Sequence, residues 1–145
     1  MTTEDIKAMA RRLYEDGFNK GNVAVLDELV AEAALDHQAP PGIPPGREGL
    51  KQLITLMRSA FPDLTFLIED VIAEGDKVVV RSLMRGTHQG MFMGIPPSGN
   101  PVQITGIDVI RVAEGRFVEH WGNQDDLGMM QQIGAVPAMP SAGGL

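Results

Sequence analysis

The sequence contains no cysteine, and this absence excludes several kinds of chemistry. Disulfide bonds, thiolate nucleophiles and zinc sites with thiolate ligands all need that residue. The chain also lacks any run of about 18 apolar residues, the length that a membrane-spanning helix requires. Its polar start, MTTEDIKAMARR, does not have the pattern of a signal peptide. We therefore expect no membrane partner and a cytoplasmic location.

Clusters of basic residues are missing as well. The 145 residues include 12 Lys or Arg against 19 Asp or Glu, a net charge of −7 at pH 7. Nucleic acids and anionic membranes bind basic surfaces, so neither is predicted as a partner. No glycine-rich phosphate loop, nucleophile elbow or metal-ligand cluster occurs. The three histidines are scattered along the chain, although the fold could bring them together, and we expect no metal and no cofactor.

The composition that remains is typical of a globular protein with a core, because 43% of the residues are apolar and 21% are charged. We predict a single domain over residues 1–134 and a Pro/Ala/Gly-rich tail over residues 135–145. Three helices precede four long strands with alternating apolar residues. This order predicts an α+β fold, in which a curved, mostly antiparallel sheet wraps around N-terminal helices.

Local patterns suggest where the elements begin and end. Caps, glycines and prolines mark the ends of helices, and apolar periodicity marks their faces. The predicted helices are a first one capped by Thr2 or Thr3 and ended at Gly21, a second from Asn22 to about Val30, a third from Arg47 to Phe61, and a last one that Asp125 or Asp126 caps and Gly134 ends. The predicted strands before the central hairpin are a short one at Leu35 to Gln38, then Leu64 to Ala73 and Lys77 to His88.

The stretch from Gly106 to Gly134 holds a hairpin with the only tryptophan, Trp121. A three-residue loop over residues 113–115 would set Asp108 directly opposite His120. A two-residue loop would instead set Trp121 opposite Asp108. We favour the three-residue loop because it places one set of apolar residues on a single buried face: Ile104, Ile110, Val112 and Val118.

Asp108 is the exception on that face. An ionised carboxylate among apolar side chains is costly unless it is paired or hydrogen-bonded. A histidine partner offers both a charge and a proton, so Asp108 and His120 are the candidate acid/base pair. The alternative is a buried Asp–His hydrogen bond that only holds the hairpin together.

Several further residues have two interpretations each. Tyr14 and Phe18 could line the mouth of a cavity or belong to the core, and His37 could face a pocket or solvent. Arg81 and Arg85 could pair with Glu69 or Asp70, or bind an anionic ligand.

Two apolar surfaces suggest a partner. The loop from Met91 to Ile95 is unusually apolar for a turn, so it could cap a pocket or contact another subunit. The second face of the last two strands also carries apolar residues, namely Ile107, Val109, Phe117 and Trp121. A sheet that is apolar on both sides needs cover on both, so we predict a sheet-to-sheet homodimer.

Three motifs together resemble the SnoaL-like branch of the nuclear transport factor 2-like superfamily. They are FPDL, GTHQG-x-F-x-GIPPSG and EHWGNQDDLGMMQQIG, and the resemblance extends from about Glu4 to Gly134. It implies a cone-shaped fold with an internal pocket for a hydrophobic small molecule. Within this pocket we place Tyr14, Phe18, His37, Phe61, His88, Ile104 and Ile110.

The chain departs from this family at the catalytic position. The polyketide cyclases that it resembles use an aspartate on the last strand, in an H-x-D arrangement. Matching His120 to that histidine puts Gly122 where the aspartate should be. A histidine on the preceding strand of those cyclases matches Asp108, so the acid and the imidazole are both present but in different places.

Two functions follow from these observations. The first is a cofactor-free enzyme that performs intramolecular aldol cyclisation, isomerisation or hydrolysis on a hydrophobic carbonyl or epoxide compound, with Asp108 and His120 transferring a proton. The second is a small-molecule-binding protein without catalysis, in which the same pair orients a ligand.

Overall fold

A five-stranded sheet forms the frame of the protein, for which the computed structural model describes residues 1–137. Its strands lie in the order β1-β5-β4-β3-β2, and all neighbours are antiparallel except β1 and β5, which are parallel. The strands are β1 (Val30–Asp36), β2 (Thr65–Glu74), β3 (Lys77–Thr87), β4 (Pro101–Ala113) and β5 (Arg116–Gln124). The predicted α+β class with a mostly antiparallel sheet is confirmed. Most of the predicted tail over residues 135–145 lies outside the described residues.

Helical segments from the first 60 residues cover one face of the sheet, here called the inner face. The helices are α1 (Thr3–Arg12), α2 (Leu26–Leu29), α3 (Gly46–Ala60) and, after β5, α4 (Asp126–Gln132). Thr2 caps α1 in a capping box with Asp5, as the predicted cap position requires. Gly21 has a positive φ of 69°, which permits the sharp turn after the first helical segment.

Two segments before β1 differ from the helices that periodicity predicts. After Arg12 the chain continues as a π-helix over Leu13–Asn19, a rare and wider turn. The predicted second helix from Asn22 to about Val30 is instead a short 3₁₀ turn, Val23–Val25, followed by the single turn of α2. Val30 already starts β1, so this strand is longer than the four residues predicted for it.

The hairpin between β4 and β5 corrects both registers considered for it. Its turn has two residues, Glu114 and Gly115, and both have positive φ angles, 52° and 76°. A bulge at Val118 then shifts the register by one residue. Asp108 therefore lies opposite Gly122, whereas His120 lies opposite Ile110.

The same bulge changes which residues of β5 face the core. Phe117 is buried against Val112, whereas Val118, expected on the buried face, is only partly buried. Phe117 was expected on the second face, and that assignment is also wrong. Beyond the bulge the alternation resumes one residue later, so His120 still shares the inner face with Asp108.

Two apolar clusters fill the space between the inner face and the helices. The first cluster joins α1, the π-helix and α3 to one end of β3, β4 and β5: it contains Ile6, Met9, Ala10, Leu13, Tyr14, Val25, Leu26, Leu29, Val30, Ile54, Val78, Val80, Ile110, Val112 and Phe117. The second cluster joins the end of α3 and α4 to the other end of the sheet: it contains Ala60, Phe61, Leu64, Met84, Val102, Ile104, Met129 and Ile133.

A narrow polar band separates these clusters on the two central strands. On β3, Ser82 lies between Val80 of the first cluster and Met84 of the second. On β4, Gly106 and Asp108 lie between the corresponding apolar residues. Ser82 and Asp108 are both buried, so polar side chains lie inside the core at this level of the sheet.

No helix within residues 1–137 is long and apolar enough to cross a bilayer.

Candidate active site

Asp108 is the centre of the buried polar band. Only 4% of the residue is exposed, yet three side chains donate hydrogen bonds to its carboxylate. The Tyr14 hydroxyl donates to Oδ2 at 2.7 Å, while His120 Nε2 and Gln124 Nε2 donate to Oδ1 at 2.7 and 2.8 Å. These bonds compensate for the loss of water around the carboxylate, so the structure can keep this charge inside.

The hydrogen bonds continue from Asp108 towards solvent through His120. The second ring nitrogen of His120, Nδ1, lies 2.7 Å from Asp36 Oδ1 on β1. The backbone N–H of Gln38 donates to the same Asp36 oxygen at 2.8 Å. Asp36, His120, Asp108 and Tyr14 thus form one chain of hydrogen bonds from the rim of the sheet into its core.

The two carboxylates determine the protonation state of His120. An ionised carboxylate only accepts hydrogen bonds, so both ring nitrogens of His120 must carry protons. Burial alone would lower the pKa of His120, but the hydrogen bonds to Asp108 and Asp36 and their charges outweigh it and raise the pKa to about 9. His120 is therefore an imidazolium at neutral pH.

Tyr14 reaches the site from the π-helix. Its ring packs in the first cluster, 5.8 Å from Phe18 and 5.5 Å from Phe66 between ring centres. Burial, together with the charge of Asp108 and the hydrogen bond to it, raises the pKa of Tyr14 well above its usual value. Tyr14 therefore stays a neutral hydrogen-bond donor across the physiological pH range.

Two glycines make room for this network. A Cβ at Gly122 would collide with Asp108 Oδ1 and lie 3.0 Å from His120 Nε2. A Cβ at Gly106 would collide with Oε1 of Gln124. The space in front of Gly122 is therefore occupied by the carboxylate that β4 supplies from the opposite strand.

Sequence reasoning brought Asp108, His120 and Tyr14 into the candidate site, and the structure places them in contact. It did not identify Asp36 and Gln124. Gln124 lies two residues beyond Gly122, on the same face, so strand alternation was an available signal for it. Asp36 comes from β1, whose parallel pairing with β5 leaves no local pattern in the sequence.

The remaining predicted pocket residues lie in two groups. Phe18 and Ile110 belong to the first cluster beside Tyr14. Phe61 and Ile104 belong to the second cluster, on the far side of the polar band.

His88 lies beside the second cluster, next to Phe61. It is completely buried, its ring lies 5.7 Å from that of Phe61, and Nδ1 accepts a hydrogen bond from the backbone N–H of Ser98 at 3.1 Å. Nε2 of His88 has no hydrogen-bond partner among residues 1–137. The pocket roles of these five residues stay predictions.

His37 lies on the outer face of the sheet, opposite to Asp108. Its ring stacks on Trp121 with 5.2 Å between ring centres, and Nε2 is 2.8 Å from Glu119 Oε2. Arg111 donates to the other oxygen of Glu119 at 3.0 Å. His37 therefore does not join His120 in one site.

The two arginines of β3 bind neighbouring strands of the sheet. Arg81 donates to Asp70 Oδ2 at 2.7 Å, the ordinary cross-strand pair. Arg85 donates to Gln103 and not to an acidic residue.

The apolar loop is divided between the core and the surface. Phe92 and Ile95 pack against the second cluster, whereas Met91 and Met93 are exposed. Within residues 1–137, no three His, Asp or Glu side chains are grouped so that they could hold a metal ion.

Helices on one face of a mixed five-stranded sheet, with a buried Asp–His hydrogen-bond network between two apolar clusters, fit the nuclear transport factor 2-like fold class. A sequence model described as SnoaL-like polyketide cyclase matches residues 8–133. The chain belongs to the SnoaL-like polyketide cyclase family.

Individual relatives agree with this assignment. Nogalonic acid methyl ester cyclase of Streptomyces nogalater is 28% identical over 123 residues, which cover 81% of this chain and 89% of the relative. Aklanonic acid methyl ester cyclase DauD of Streptomyces sp. (strain C5) is 30% identical over 132 residues, with coverage of 87% and 80%. The solved structure of TsrD from Streptomyces laurentii superimposes with a TM-score of 0.86 at 28% identity, covering 94% of this chain and 99% of that one.

Proposed function

We propose that this protein is a cofactor-free cyclase that closes a ring in a hydrophobic polyketide-derived methyl ester by an intramolecular aldol reaction. The observation that carries this proposal is the buried Asp108 carboxyl group, which accepts hydrogen bonds from Tyr14, His120 and Gln124 between two apolar clusters. The two Streptomyces relatives are methyl ester cyclases, which supports an ester of this kind as the substrate.

In this mechanism Asp108 is the general base. Both nitrogens of His120 already donate to carboxylates, so the imidazolium has no lone pair with which to accept a proton. Asp108 Oδ2 has one donor, Tyr14, and keeps a lone pair for a substrate proton. Asp108 takes the proton from the carbon next to a carbonyl, and the enolate attacks a second carbonyl of the same molecule. The new alkoxide then takes the proton back from Asp108, so the reaction is balanced without a cofactor.

His120 and Tyr14 stabilise the charges of this reaction. The positive charge of His120 lies against the Asp108 carboxylate and compensates its charge in an apolar surrounding. The Tyr14 hydroxyl is the donor closest to the carboxylate oxygen that receives the proton, so it can donate instead to the developing enolate oxygen.

Turnover of a methyl ester of a polyketide acid tests the proposal. The wild-type protein should convert nogalonic or aklanonic acid methyl ester into its cyclised isomer, which has the same mass and a different retention time. Asp108→Asn should lose about a hundred- to ten-thousand-fold in kcat/KM, as expected for a general base. Asp70→Asn is the matched control, because Asp70 lies exposed on the outer face and pairs with Arg81. Wild-type rates in Asp108→Asn would contradict the assignment.

A second candidate function is binding without catalysis. It is favoured by the position of Gly122, where the cyclases that this chain resembles carry their aspartate. In that case the wild-type protein raises its melting temperature with the ester but never converts it. Divalent metals or nucleotides that stabilise the protein, when esters and ketones do not, would contradict both candidates.

We also propose that two copies associate through the outer face. Several apolar residues are exposed on it across the sheet, namely Leu35 of β1, Ile107 of β4, and Leu67 and Ile72 of β2. Light scattering at micromolar concentration should give twice the chain mass, and Trp121→Glu should weaken the association because it would bury an unpaired charge. A monomer in the wild-type protein would contradict the dimer. The cytoplasmic location stays a prediction.

A further inference from the structure

We infer that Asp36 is a positioning residue of this site: its carboxylate orients His120 so that the imidazolium presents Nε2–H to Asp108. The inference rests on the proposed function and adds to it a residue on a strand that carries neither Asp108 nor His120. Asp36 would not touch the substrate and would act only through His120.

The geometry fixes Asp36 from its backbone outwards. Asp36 and His120 are direct partners in the parallel pairing of β1 with β5. The backbone N–H of His37 donates to the His120 carbonyl at 3.0 Å, which holds the two strands together at this point. The Gln38 N–H then fixes the carboxylate oxygen that accepts from His120 Nδ1. The backbones of Asp36 and His120 therefore cannot shift apart without breaking the hydrogen bonds between β1 and β5.

The position of Asp36 explains why His120 needs a second carboxylate. The side chains of Asp36 and His120 are 28% and 27% exposed, whereas that of Asp108 is 6% exposed. Without Asp36, the Nδ1 side of the ring would face the rim of the site, where water competes for hydrogen bonds. The imidazole could then rotate or lose its proton, and Asp108 would lose the positively charged donor at its Oδ1.

The charges that bind the His120 ring come from two neighbouring strands. Asp108 of β4 and Asp36 of β1 bind its two nitrogens, and the neutral Tyr14 is linked to it through Asp108. On the other face of the sheet, Glu119 pairs with Arg111 and His37.

The pKa of Asp36 reflects this pairing. Burial raises it, but the hydrogen bonds from His120 and from the backbone of Gln38 outweigh burial and lower it. Asp36 is therefore ionised at neutral pH, where His120 is charged, and the loss of its charge should be visible in the titration of His120.

The test is an NMR titration of the histidine ring nitrogens in the full chain, which needs no substrate. His120→Gln identifies the signals of His120. Asp36→Asn should lower the pH at which His120 titrates by on the order of one unit, because it removes one of two adjacent negative charges. Glu119→Gln is the matched control: it also removes a carboxylate bonded to a histidine, on the same two strands but on the opposite face. It should leave the titration of His120 unchanged.

An unchanged His120 titration in a folded Asp36→Asn protein would overturn the inference. If Asp36→Asn does not fold, Asp36→Ser provides the same loss of charge and is judged by the same criterion. If the protein converts an ester, the pH dependence of kcat/KM offers a second measurement. The alkaline limb of this profile should move to lower pH in Asp36→Asn. In the same variant kcat should fall while KM changes little. If the wild-type protein converts no ester, the proposed function fails, but the NMR titration still decides the role of Asp36.

Discussion

Two histidine–carboxylate contacts lie back to back on the β1–β5 strand pair. On the inner face, His120 of β5 binds Asp36 of β1, and on the outer face His37 of β1 binds Glu119 of β5. Each contact has a third charged residue beside it, and the charges of these two residues have opposite signs. The inner histidine has a second carboxylate, Asp108, whereas the outer carboxylate has a cation, Arg111.

The charge of the third residue determines whether the pKa of the histidine or that of the carboxylate is shifted. Two carboxylates around one imidazole raise the pKa of His120 to about 9, although burial opposes it. On the outer face, the hydrogen bonds from His37 and then Arg111 lower the pKa of Glu119. The inner arrangement holds a charged histidine beside a buried carboxylate, and the outer one is an ordinary surface network.

The largest effect should come from breaking the inner network at both of its central residues. Asp108→Asn and His120→Gln should each reduce kcat/KM by about a hundred- to ten-thousand-fold. The double variant should be little worse than either single one, because residues that act as a unit are not additive. Rates with a polyketide methyl ester measure this, and the outer-face variant His37→Gln should turn over nearly as fast as wild type. Losses that multiply in the double variant would indicate independent roles.

Moving the carboxylate from β4 to β5 would test how strictly the inner network depends on its present arrangement. Gly122→Asp alone should lose activity and stability, because its side chain would collide with Asp108 and add a second negative charge. Asp108→His combined with Gly122→Asp would recreate the H-x-D arrangement of the cyclases that this chain resembles. The combination should be more active than either single variant in the same assay. No recovery would mean that the space in front of Gly122 cannot hold the acid.

The charged state of His120 should also be visible in the pH dependence of stability. Its pKa is about 9 in the folded chain against 6.5 for an ordinary histidine, so folding favours the protonated form. This contribution is complete below pH 6.5 and is lost as the pH rises through 9, a difference of about 3 kcal/mol. Urea unfolding between pH 6 and 9.5 should show this loss in wild type and a flatter profile in His120→Gln. Parallel profiles would contradict the charge assignment.

The smallest effect should come from the outer network. Glu119→Gln removes a partly exposed carboxylate whose ion pair with Arg111 is screened by water. The unfolding free energy should therefore change less than in His120→Gln, and its profile between pH 6 and 9.5 should follow that of wild type. Salt should reduce even this small difference. A larger loss than in His120→Gln would reverse the ranking of the two faces.

Elements with strong periodicity could be predicted from the sequence almost to the residue. The helix expected from Arg47 to Phe61 is Gly46–Ala60, and the strand expected from Lys77 to His88 is Lys77–Thr87. In the helix one apolar face repeats over about three turns, and in the strand buried residues alternate with less buried ones along its whole length. Periodicity did predict helical structure for residues 13–30, but it could not distinguish the α-helix expected there from the π-helix and the short turns that the chain forms.

The contact between Asp108 and His120 was predicted from the sequence, although the predicted register of β4 against β5 was wrong. The expected register sets Asp108 against His120, and the observed one sets it against Gly122, a shift of two residues. Because side chains alternate with a period of two, such a shift leaves every residue beyond the bulge on the same face. The bulge at Val118 could not be predicted, since it depends on burying Phe117. Asp36 was not identified because parallel pairing joins segments that are distant in the chain.

The chain has one tryptophan and one tyrosine, and the sheet separates them. Trp121 stacks on His37 at the outer face, while the Tyr14 hydroxyl binds Asp108 inside. Indole fluorescence therefore reports on one side of the sheet and phenol absorbance on the other. A molecule that enters the core should perturb the tyrosine spectrum first, and a second copy that covers the outer face should shift the tryptophan emission. The native protein thus carries two optical labels that distinguish ligand binding from self-association in one sample.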